Sequence, residues 1–357
     1  MRRGSPKILI VKLSAIGDVV HTLPALNALR KHYPRAHITW LVEEAAAGLL
    51  AGHAALDRIL ISRRKAWVAG LRTRNRATHI KQVLTFFKQL RDTRYDLILD
   101  FQAALKGAML IALARGHSRI GFGPGMEHQE RSYLVLSRKI PMVSMEIHAL
   151  DRGLLMLQAL GVPCDVIEYR LPVDAKAHGH TTALINAAPA LAGKKPVAIN
   201  PVAQWDSKLW PADRFAKLAD KLIENEAVSV YFTGGRGDRS AIKEIINKMR
   251  HPAVNLAGRT SLIDLAALYQ KMACVISTDT GPMHIAAAVN TPVVALFGPT
   301  AEWRTGPYGS DHRVVTANCP CRPCFKRTCP SPECMRDISV EQVWDQVQVI
   351  LKKENNR

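Results

Sequence analysis

The stretch Lys7-Ile-Leu-Ile-Val-Lys-Leu-Ser-Ala-Ile-Gly-Asp18 leads from a β-rich apolar run into a tight turn. Apolar residues then recur at helical spacing over Val19–His32, which predicts a helix directly after the first strand. Pro24 fits such a helix only near its first turns, because proline lacks the N–H group that a helix interior uses. A strand that passes at once into a helix is the repeating unit of α/β proteins.

The same alternation continues through the rest of the chain, which at 357 residues exceeds what one hydrophobic core usually supports. In the first half we expect strands at His37–Val42 and Tyr95–Asp100 and helices near Leu105–Ala114 and His148–Leu160. In the second half we expect strands at Val197–Asn200, Val228–Thr233, Cys274–Ser277 and Val293–Phe297, and helices near Ala212–Asn225, Arg239–Met249, Leu262–Lys271 and Met283–Ala288. Weak periodicity between the halves predicts domains at 1–175 and 195–357, joined by a linker at 176–194. Ligands bind such sheets at the carboxyl ends of their strands, so function is expected in a cleft between the domains.

The charge of the chain is strongly basic, with 49 Lys and Arg against 30 Asp and Glu and a net charge of +19. Eleven of these cations and a single acid, Asp92, fall between Arg58 and Arg94. Such asymmetry favours an anion-facing surface, the alternative being a solvated helical face. No apolar run approaches the roughly 18 to 20 residues of a membrane-spanning helix. Lys12 interrupts the first apolar run and no small-residue cleavage site follows it, so we expect a cytoplasmic protein without a signal peptide.

Two loops that follow strands carry groups suited to chemistry. Gly17 permits a tight turn, and Asp18 either caps the helix that follows or takes a proton from a hydroxyl group. In Ser277-Thr-Asp-Thr-Gly-Pro-Met-His284, Thr280 and Gly281 offer a hydroxyl and free N–H groups at a helix start, which suits a phosphate group. Asp279 would repel that phosphate, so it either caps the helix or binds a sugar or base hydroxyl.

Two further side chains belong to the second half of the chain. His284 on its own is more typical of a packed core histidine than of a ligand. Lys208 stands alone among aromatic residues just past a strand, where an ammonium group can neutralise a diphosphate.

These residues belong to longer motifs with a recognisable resemblance. The run Ile10–Ala25 (IVKLSAIGDVVHTLPA) resembles the N-terminal signature of the heptosyltransferases, glycosyltransferase family nine, which build the inner core of bacterial lipopolysaccharide. Ser277–Pro299 (STDTGPMHIAAAVNTPVVALFGP) resembles the C-terminal signature of that family, and Pro201–Pro211 and Asn255–Leu262 are similar to motifs between the two. The similarity spans nearly the whole chain in the same order, so the chain is identified as a member of this family.

The resemblance implies a GT-B fold, with two facing Rossmann-like domains, an N-terminal one for the acceptor and a C-terminal one for the nucleotide sugar. The last helix of such a fold can pack back on the N-terminal domain. It also implies transfer of a heptose from ADP-heptose with inversion at the anomeric carbon and with no metal ion or other cofactor required. By the same resemblance Asp18 is the catalytic base, and the donor-binding residues are Lys208, Thr260, Asp279, Thr280, Gly281 and His284.

The acceptor implied by the resemblance is the anionic inner core of lipopolysaccharide, which predicts peripheral association with the cytoplasmic face of the inner membrane. Its phosphates and carboxylates would need cations, and these are supplied by the basic segment of the acceptor half. We assign Gly17, Arg72, Arg74 and Arg76 to acceptor binding. The arginine-rich insert around 62–77 has no counterpart that we can identify in the family pattern.

Five of the seven cysteines fall in the segment Cys319-Pro-Cys-Arg-Pro-Cys-Phe-Lys-Arg-Thr-Cys-Pro-Ser-Pro-Glu-Cys334. Stable disulfides are unusual in a cytosolic chain, whereas four thiolates can hold zinc or an iron–sulfur cluster. The four ligands would be Cys321, Cys324, Cys329 and Cys334. The spacing is equally compatible with a packed loop of reduced thiols, and we favour that interpretation.

Two other functions compete with heptosyl transfer. A relative within the same family could transfer a different nucleotide-activated sugar. A basic nucleic-acid-binding protein would use the +19 charge and the cysteine segment, but the chain has no recognisable nucleic-acid-binding module and only 6% aromatic residues for base stacking. We therefore expect a nucleotide sugar, and no nucleic acid, as partner.

Overall fold

The computed structural model describes residues 5–70, 73, 76–126, 130–188, 191 and 193–355. The chain divides into two compact units, Met1–Pro172 and Val173–Arg357. Each unit is a parallel six-stranded sheet with helices, which confirms the predicted α/β class.

The first unit is built on a sheet with strand order β3-β2-β1-β4-β5-β6, all pairs parallel. Its strands are β1 (Lys7–Val11), β2 (His37–Glu43), β3 (Arg58–Ser62), β4 (Arg94–Asp100), β5 (Arg115–Phe122) and β6 (Arg138–Ile140). Its helices are α1 (Ile16–His32), α2 (Glu44–Ala47), α3 (Arg64–Gly70), α4 (Arg76–Arg91), α5 (Leu105–Leu113) and α6 (Ala149–Gln158), and a 3-10 turn spans Ser132–Val135.

The first strand and helix form the centre of this unit. Ile8–Val11 is wholly buried, as expected for a central parallel strand covered on both faces. The helix that follows begins at Ile16, so Pro24 is its ninth residue and not one of its first turn. The expectation that Pro24 lies near the first turns of the helix is therefore wrong. Its ring is accommodated in the buried face of α1, at the cost of the hydrogen bond that Val20 would otherwise accept.

The second unit repeats the plan with strand order β12-β11-β10-β7-β8-β9, again all parallel. Its strands are β7 (Lys195–Asn200), β8 (Val228–Phe232), β9 (Val254–Asn255), β10 (Cys274–Thr278), β11 (Val293–Phe297) and β12 (Arg313–Thr316). Its helices are α7 (Ala175–Asn186), α8 (Ala212–Glu226), α9 (Arg239–Asn247), α10 (Leu262–Tyr269), α11 (Gly281–Ala288), α12 (Glu302–Thr305), α13 (Glu333–Arg336) and α14 (Val340–Asn355). Short 3-10 turns span Asp206–Lys208 and Arg236–Asp238.

The predicted linker at 176–194 differs from the structure, because most of it is the helix α7. Asp174 caps this helix by accepting a hydrogen bond from the Ala177 amide at 2.8 Å. The helix packs against α10, where Lys271 Nζ donates to Thr182 Oγ1 at 2.9 Å. The alanines and histidines of this stretch give it a weak hydrophobic periodicity, so the sequence does not signal the helix. The second unit therefore begins at Val173, earlier than predicted.

The last helix, α14, packs within the second unit. Val343, Trp344 and Val347 join the hydrophobic core that surrounds β7, β8 and β10. Packing of this helix onto the N-terminal domain stays a prediction. Among the described residues, no helix combines the length and apolar character needed to cross a bilayer.

Candidate functional site

Asp18 lies in the first turn of α1, just past the loop that follows β1. The cap residue of the helix is Ala15, and Asp18 Oδ2 accepts a hydrogen bond from the Ala15 backbone N–H at 2.9 Å. The other carboxylate oxygen lies 3.9 Å from Lys12 Nζ, and 40% of the Asp18 side chain is exposed. Asp18 therefore stabilises the helix start with one oxygen and leaves the other within reach of a hydroxyl from solvent.

Two more carboxylates, which the sequence analysis missed, end the strands on either side of β1. Glu43 is the last residue of β2 and Asp100 is the last residue of β4. Asp100 is 2% exposed, and this burial raises its pKa to about 6, although the Gln102 and Ala103 amides donate to its Oδ1. The rule that singled out Asp18, a polar residue after a parallel strand, identifies both of these residues as well.

The surrounding contacts distinguish the three carboxylates. Glu43 is buried and lies 3.4 Å from Lys106 Nζ, an ammonium group that also contacts Ser14 Oγ. Asp100 Oδ1 accepts a hydrogen bond from the Gln102 amide and so stabilises the turn that follows β4. The Gln102 side chain in turn accepts hydrogen bonds from the amides of Leu13 and Ser14, which follow β1. Asp18 alone among these three combines a free oxygen with substantial exposure, which makes it the best placed to take a proton.

A second cluster, in the other unit, surrounds Lys208. Its ammonium group donates to Asp279 Oδ2 at 2.6 Å and to the Asp279 carbonyl at 3.3 Å. The Lys208 side chain is 14% exposed and the Asp279 side chain 6%. Thr300 Oγ1 donates to the same Asp279 oxygen at 2.6 Å, and Lys208 Nζ lies 4.4 Å from the centre of the Trp205 ring. Asp279 thus holds Lys208 in place, and we call these four residues the Lys208 cluster.

The Lys208 cluster stands next to the start of α11. Thr280 is the cap residue of this helix and Gly281 its first helical residue, so the Gly281 N–H group lies beside the Lys208–Asp279 pair. Pro282 has no N–H group, and the Met283 amide donates to the Thr280 carbonyl at 3.1 Å. His284 is buried one turn further along. The structure therefore brings Lys208, Asp279, Thr280 and Gly281 together, a combination of ammonium group and helix amides that suits an anion.

The remaining predicted site residues lie elsewhere in the chain. Thr260 comes just before Ser261, which caps α10. Gly17 is buried in the first turn of α1, and Arg76 is the exposed first residue of α4. Arg72 and Arg74 lie outside the described residues.

The cysteine segment contacts Ser207, the neighbour of Lys208, through its backbone, and it contacts Trp205 of the Lys208 cluster through Arg327. Ser207 Oγ donates to the Lys326 carbonyl at 2.6 Å, and the Ser207 amide donates to the Arg327 carbonyl at 3.3 Å. The Arg327 guanidinium lies 5.4 Å from the centre of the Trp205 ring, the ring that Lys208 also contacts. These contacts join residues about 120 positions apart, so no local sequence signal points to them.

Four thiols of the segment lie near one another, since Cys319, Cys321 and Cys324 each interact electrostatically with the Cys334 thiol. Cys319 Sγ and Cys321 Sγ lie 3.4 Å apart, whereas Cys334 is buried, and this burial raises its pKa to about 11. Within the described ranges, no group of three or more His, Cys, Asp or Glu side chains is arranged to hold a metal ion.

Comparisons of the sequence and of the fold with known proteins point to the same family. The model of glycosyltransferase family 9 (heptosyltransferase) matches residues 83–335. The lipopolysaccharide core heptosyltransferase OpsX of Haemophilus influenzae is 29% identical, with 87% of this chain and 85% of the relative covered. Lipopolysaccharide heptosyltransferase 1 of Pseudomonas aeruginosa is 29% identical, with 90% and 87% covered.

The solved structure of Escherichia coli heptosyltransferase WaaC with ADP-2-deoxy-2-fluoro heptose is similar, with a TM-score of 0.73 and 25% identity over 96% of this chain and 99% of that one. The glycosyl transferase family 9 protein of Veillonella parvula has a TM-score of 0.82, at 21% identity and with 99% of both chains covered. The second similarity supports the fold alone.

Proposed function

The chain belongs to glycosyltransferase family 9, the heptosyltransferases, and on that premise we propose that it moves a heptose from ADP-heptose to the inner core of lipopolysaccharide. Its relatives named for lipopolysaccharide heptosyl transfer align over most of its length, and the similar WaaC structure holds an ADP-heptose analogue. The observation that carries the proposal is the Lys208–Asp279 pair at the start of α11.

The donor binds, in this proposal, with its diphosphate at the N-terminus of α11. The Thr280 hydroxyl and the Gly281 amide donate to phosphate oxygens, and the Lys208 ammonium offsets the charge that grows on the departing ADP. Asp279 keeps Lys208 oriented, since its carboxylate is itself fixed by Thr300. Thr260 and His284 complete the donor-binding set that the family resemblance implies.

The acceptor hydroxyl is activated by Asp18. The carboxylate takes the hydroxyl proton while the acceptor oxygen forms a bond to the anomeric carbon, and the bond from that carbon to the diphosphate oxygen breaks with its electron pair. ADP leaves from the face opposite to attack, so the configuration inverts. Lys12 Nζ lies 3.9 Å from Asp18 Oδ1, so an ammonium group faces the carboxylate that takes the proton.

The acceptor is anionic, and we assign its phosphates and carboxylates to Gly17, Arg72, Arg74 and Arg76 in the basic half of the chain. Binding of such an acceptor brings the enzyme to the cytoplasmic face of the inner membrane. Salt screens exposed charges over about 8 Å at physiological ionic strength, so acceptor affinity should fall as salt rises. Replacing the three arginines with Gln should remove most of this salt dependence.

A panel of nucleotide sugars with a defined inner-core acceptor tests the proposal. We expect ADP-heptose to be consumed with release of ADP, and NMR of the product to reveal an inverted anomeric configuration. If another nucleotide sugar is transferred with a higher kcat/KM than ADP-heptose, the enzyme is a family member with a different donor. Retention of configuration would overturn the direct displacement by a hydroxyl that Asp18 activates.

A further inference from the structure

The helix α4 presents an apolar patch on its outer side. Phe86 and Leu90 turn inward and are buried, and the Phe86 ring packs against Trp67 at 5.1 Å. Ile80 and Leu84, one turn apart and therefore neighbours on one face, are 46% and 65% exposed. Two large aliphatic side chains thus point away from the core of their own unit.

The same face of α4 is strongly basic. Lys81, Lys88 and Arg91 stand three, four and seven positions from Leu84, the spacing that brings helix residues to one side, and all three are exposed. The helix contains no Asp or Glu. None of these three cations forms an ion pair with a side chain among the described residues. The cations next to the apolar pair therefore remain available to an outside anion.

We propose that this face of α4, made of Ile80, Leu84, Lys81, Lys88 and Arg91, docks on an anionic phospholipid bilayer. A helix that lies in a membrane interface buries an apolar stripe at the level of the headgroups and pairs flanking Lys and Arg with lipid phosphates. The charge complementarity selects an anionic bilayer over a neutral one. The inference rests on the proposed function in one respect, since docking would bring the enzyme to an acceptor that is anchored in a membrane.

Both kinds of side chain contribute to the expected binding. Each cation near an anionic surface raises the partition coefficient about fivefold, so three together account for about 100-fold. Replacing Ile80 and Leu84 with Gln removes the apolar contribution and should lower partitioning at least tenfold. Raising the salt concentration should weaken the cationic part and leave the apolar part in place.

Co-sedimentation of the full chain with vesicles tests the proposal. The wild type should bind vesicles of phosphatidylethanolamine and phosphatidylglycerol and bind phosphatidylcholine vesicles weakly. The Ile80→Gln/Leu84→Gln variant and the Lys81→Gln/Lys88→Gln/Arg91→Gln variant should each lose at least nine-tenths of this partitioning. The apolar variant should also keep its melting temperature and its rate on a deacylated, water-soluble acceptor.

The matched control is Met109→Gln/Leu113→Gln on α5, where the replaced side chains are 59% and 39% exposed on a helix whose one charged residue is Lys106. This control should bind vesicles as the wild type does. Equal loss in the control, or unchanged binding in both α4 variants, overturns the assignment of this face. Vesicle binding without transfer from ADP-heptose would reject the proposed function and leave the docking face standing, and the reverse result would reject only the docking face.

Discussion

Replacing Lys208 with Met tests the donor site most informatively, because the change removes a charge and keeps most of the side-chain volume. The ammonium group lies 2.6 Å from Asp279 Oδ2, and both side chains are largely buried. Loss of a charge-assisted contact to the donor diphosphate corresponds to about 1.5–3 kcal/mol, or roughly 10- to 150-fold in kcat/KM for ADP-heptose.

The same substitution also affects the fold. Among the described side chains, this leaves Thr300 as the one donor to the buried Asp279 carboxylate. Breaking a buried ion pair typically costs about 3–5 kcal/mol of unfolding free energy. Adding Asp279→Asn removes that unpaired charge. The double variant should therefore regain stability in urea unfolding while its kcat/KM stays low.

The matched control is Lys221→Met. Lys221 belongs to the same unit, lies 5.2 Å from the centre of the Trp344 ring and pairs with Glu341 at 3.7 Å, away from α11. Its replacement should leave kcat/KM unchanged. Wild-type kcat/KM in Lys208→Met would refute a role for this cation at the diphosphate. Full recovery of activity in the double variant would show that Lys208 serves only to neutralise Asp279.

Three further predictions concern Thr300, Asp100 and the cysteine segment. Thr300→Val should lower kcat/KM for ADP-heptose several-fold and Thr300→Ser should preserve it, because serine keeps the donor to Asp279; equal rates in the two variants would argue against this bond. The pKa of Asp100 is about 6 in the folded chain and 3.8 in the unfolded chain, so the stability of the wild type falls as pH rises from about 4 to 6. Asp100→Asn should escape this loss and gain up to about 3 kcal/mol in unfolding free energy at pH 7. A gain that is the same at pH 4 and pH 7 would contradict the pKa assigned to Asp100. Purified protein should carry less than one zinc or iron per chain, and Cys324→Ser should leave the melting temperature unchanged; stoichiometric metal that is lost together with stability in this variant would favour a metal centre.

The central strands were predictable because their sequences signal them locally. Ile8–Val11 and Val293–Phe297 are unbroken apolar runs, a pattern typical of a parallel strand buried on both faces. Strands near the sheet edges were missed. Arg115–Phe122 contains two glycines and several polar residues, and it becomes a strand because β4 offers it hydrogen bonds along its length.

The site was partly predictable for a related reason. Asp18 and the start of α11 follow strands directly, so chain order alone locates them. Glu43 and Asp100 follow strands too, but their burial and their partners depend on which strands lie side by side. The contacts of Thr300 with Asp279 and of Arg327 with Trp205 join distant segments, and only the folded chain brings them together.

Single-turnover transfer by Asp18→Asn, with ADP-heptose and a defined inner-core acceptor, tests the central claim most directly. Asparagine can still accept the hydrogen bond from the Ala15 amide at the start of α1, so the variant should fold normally and bind donor with near-native affinity. It cannot take the acceptor proton, and loss of a general base lowers the rate by about 10²- to 10⁴-fold. If Asp18→Asn retains most of the wild-type rate when chemistry limits turnover, Asp18 only stabilises the helix start, and the account of this enzyme as an Asp18-dependent inverting heptosyltransferase is wrong.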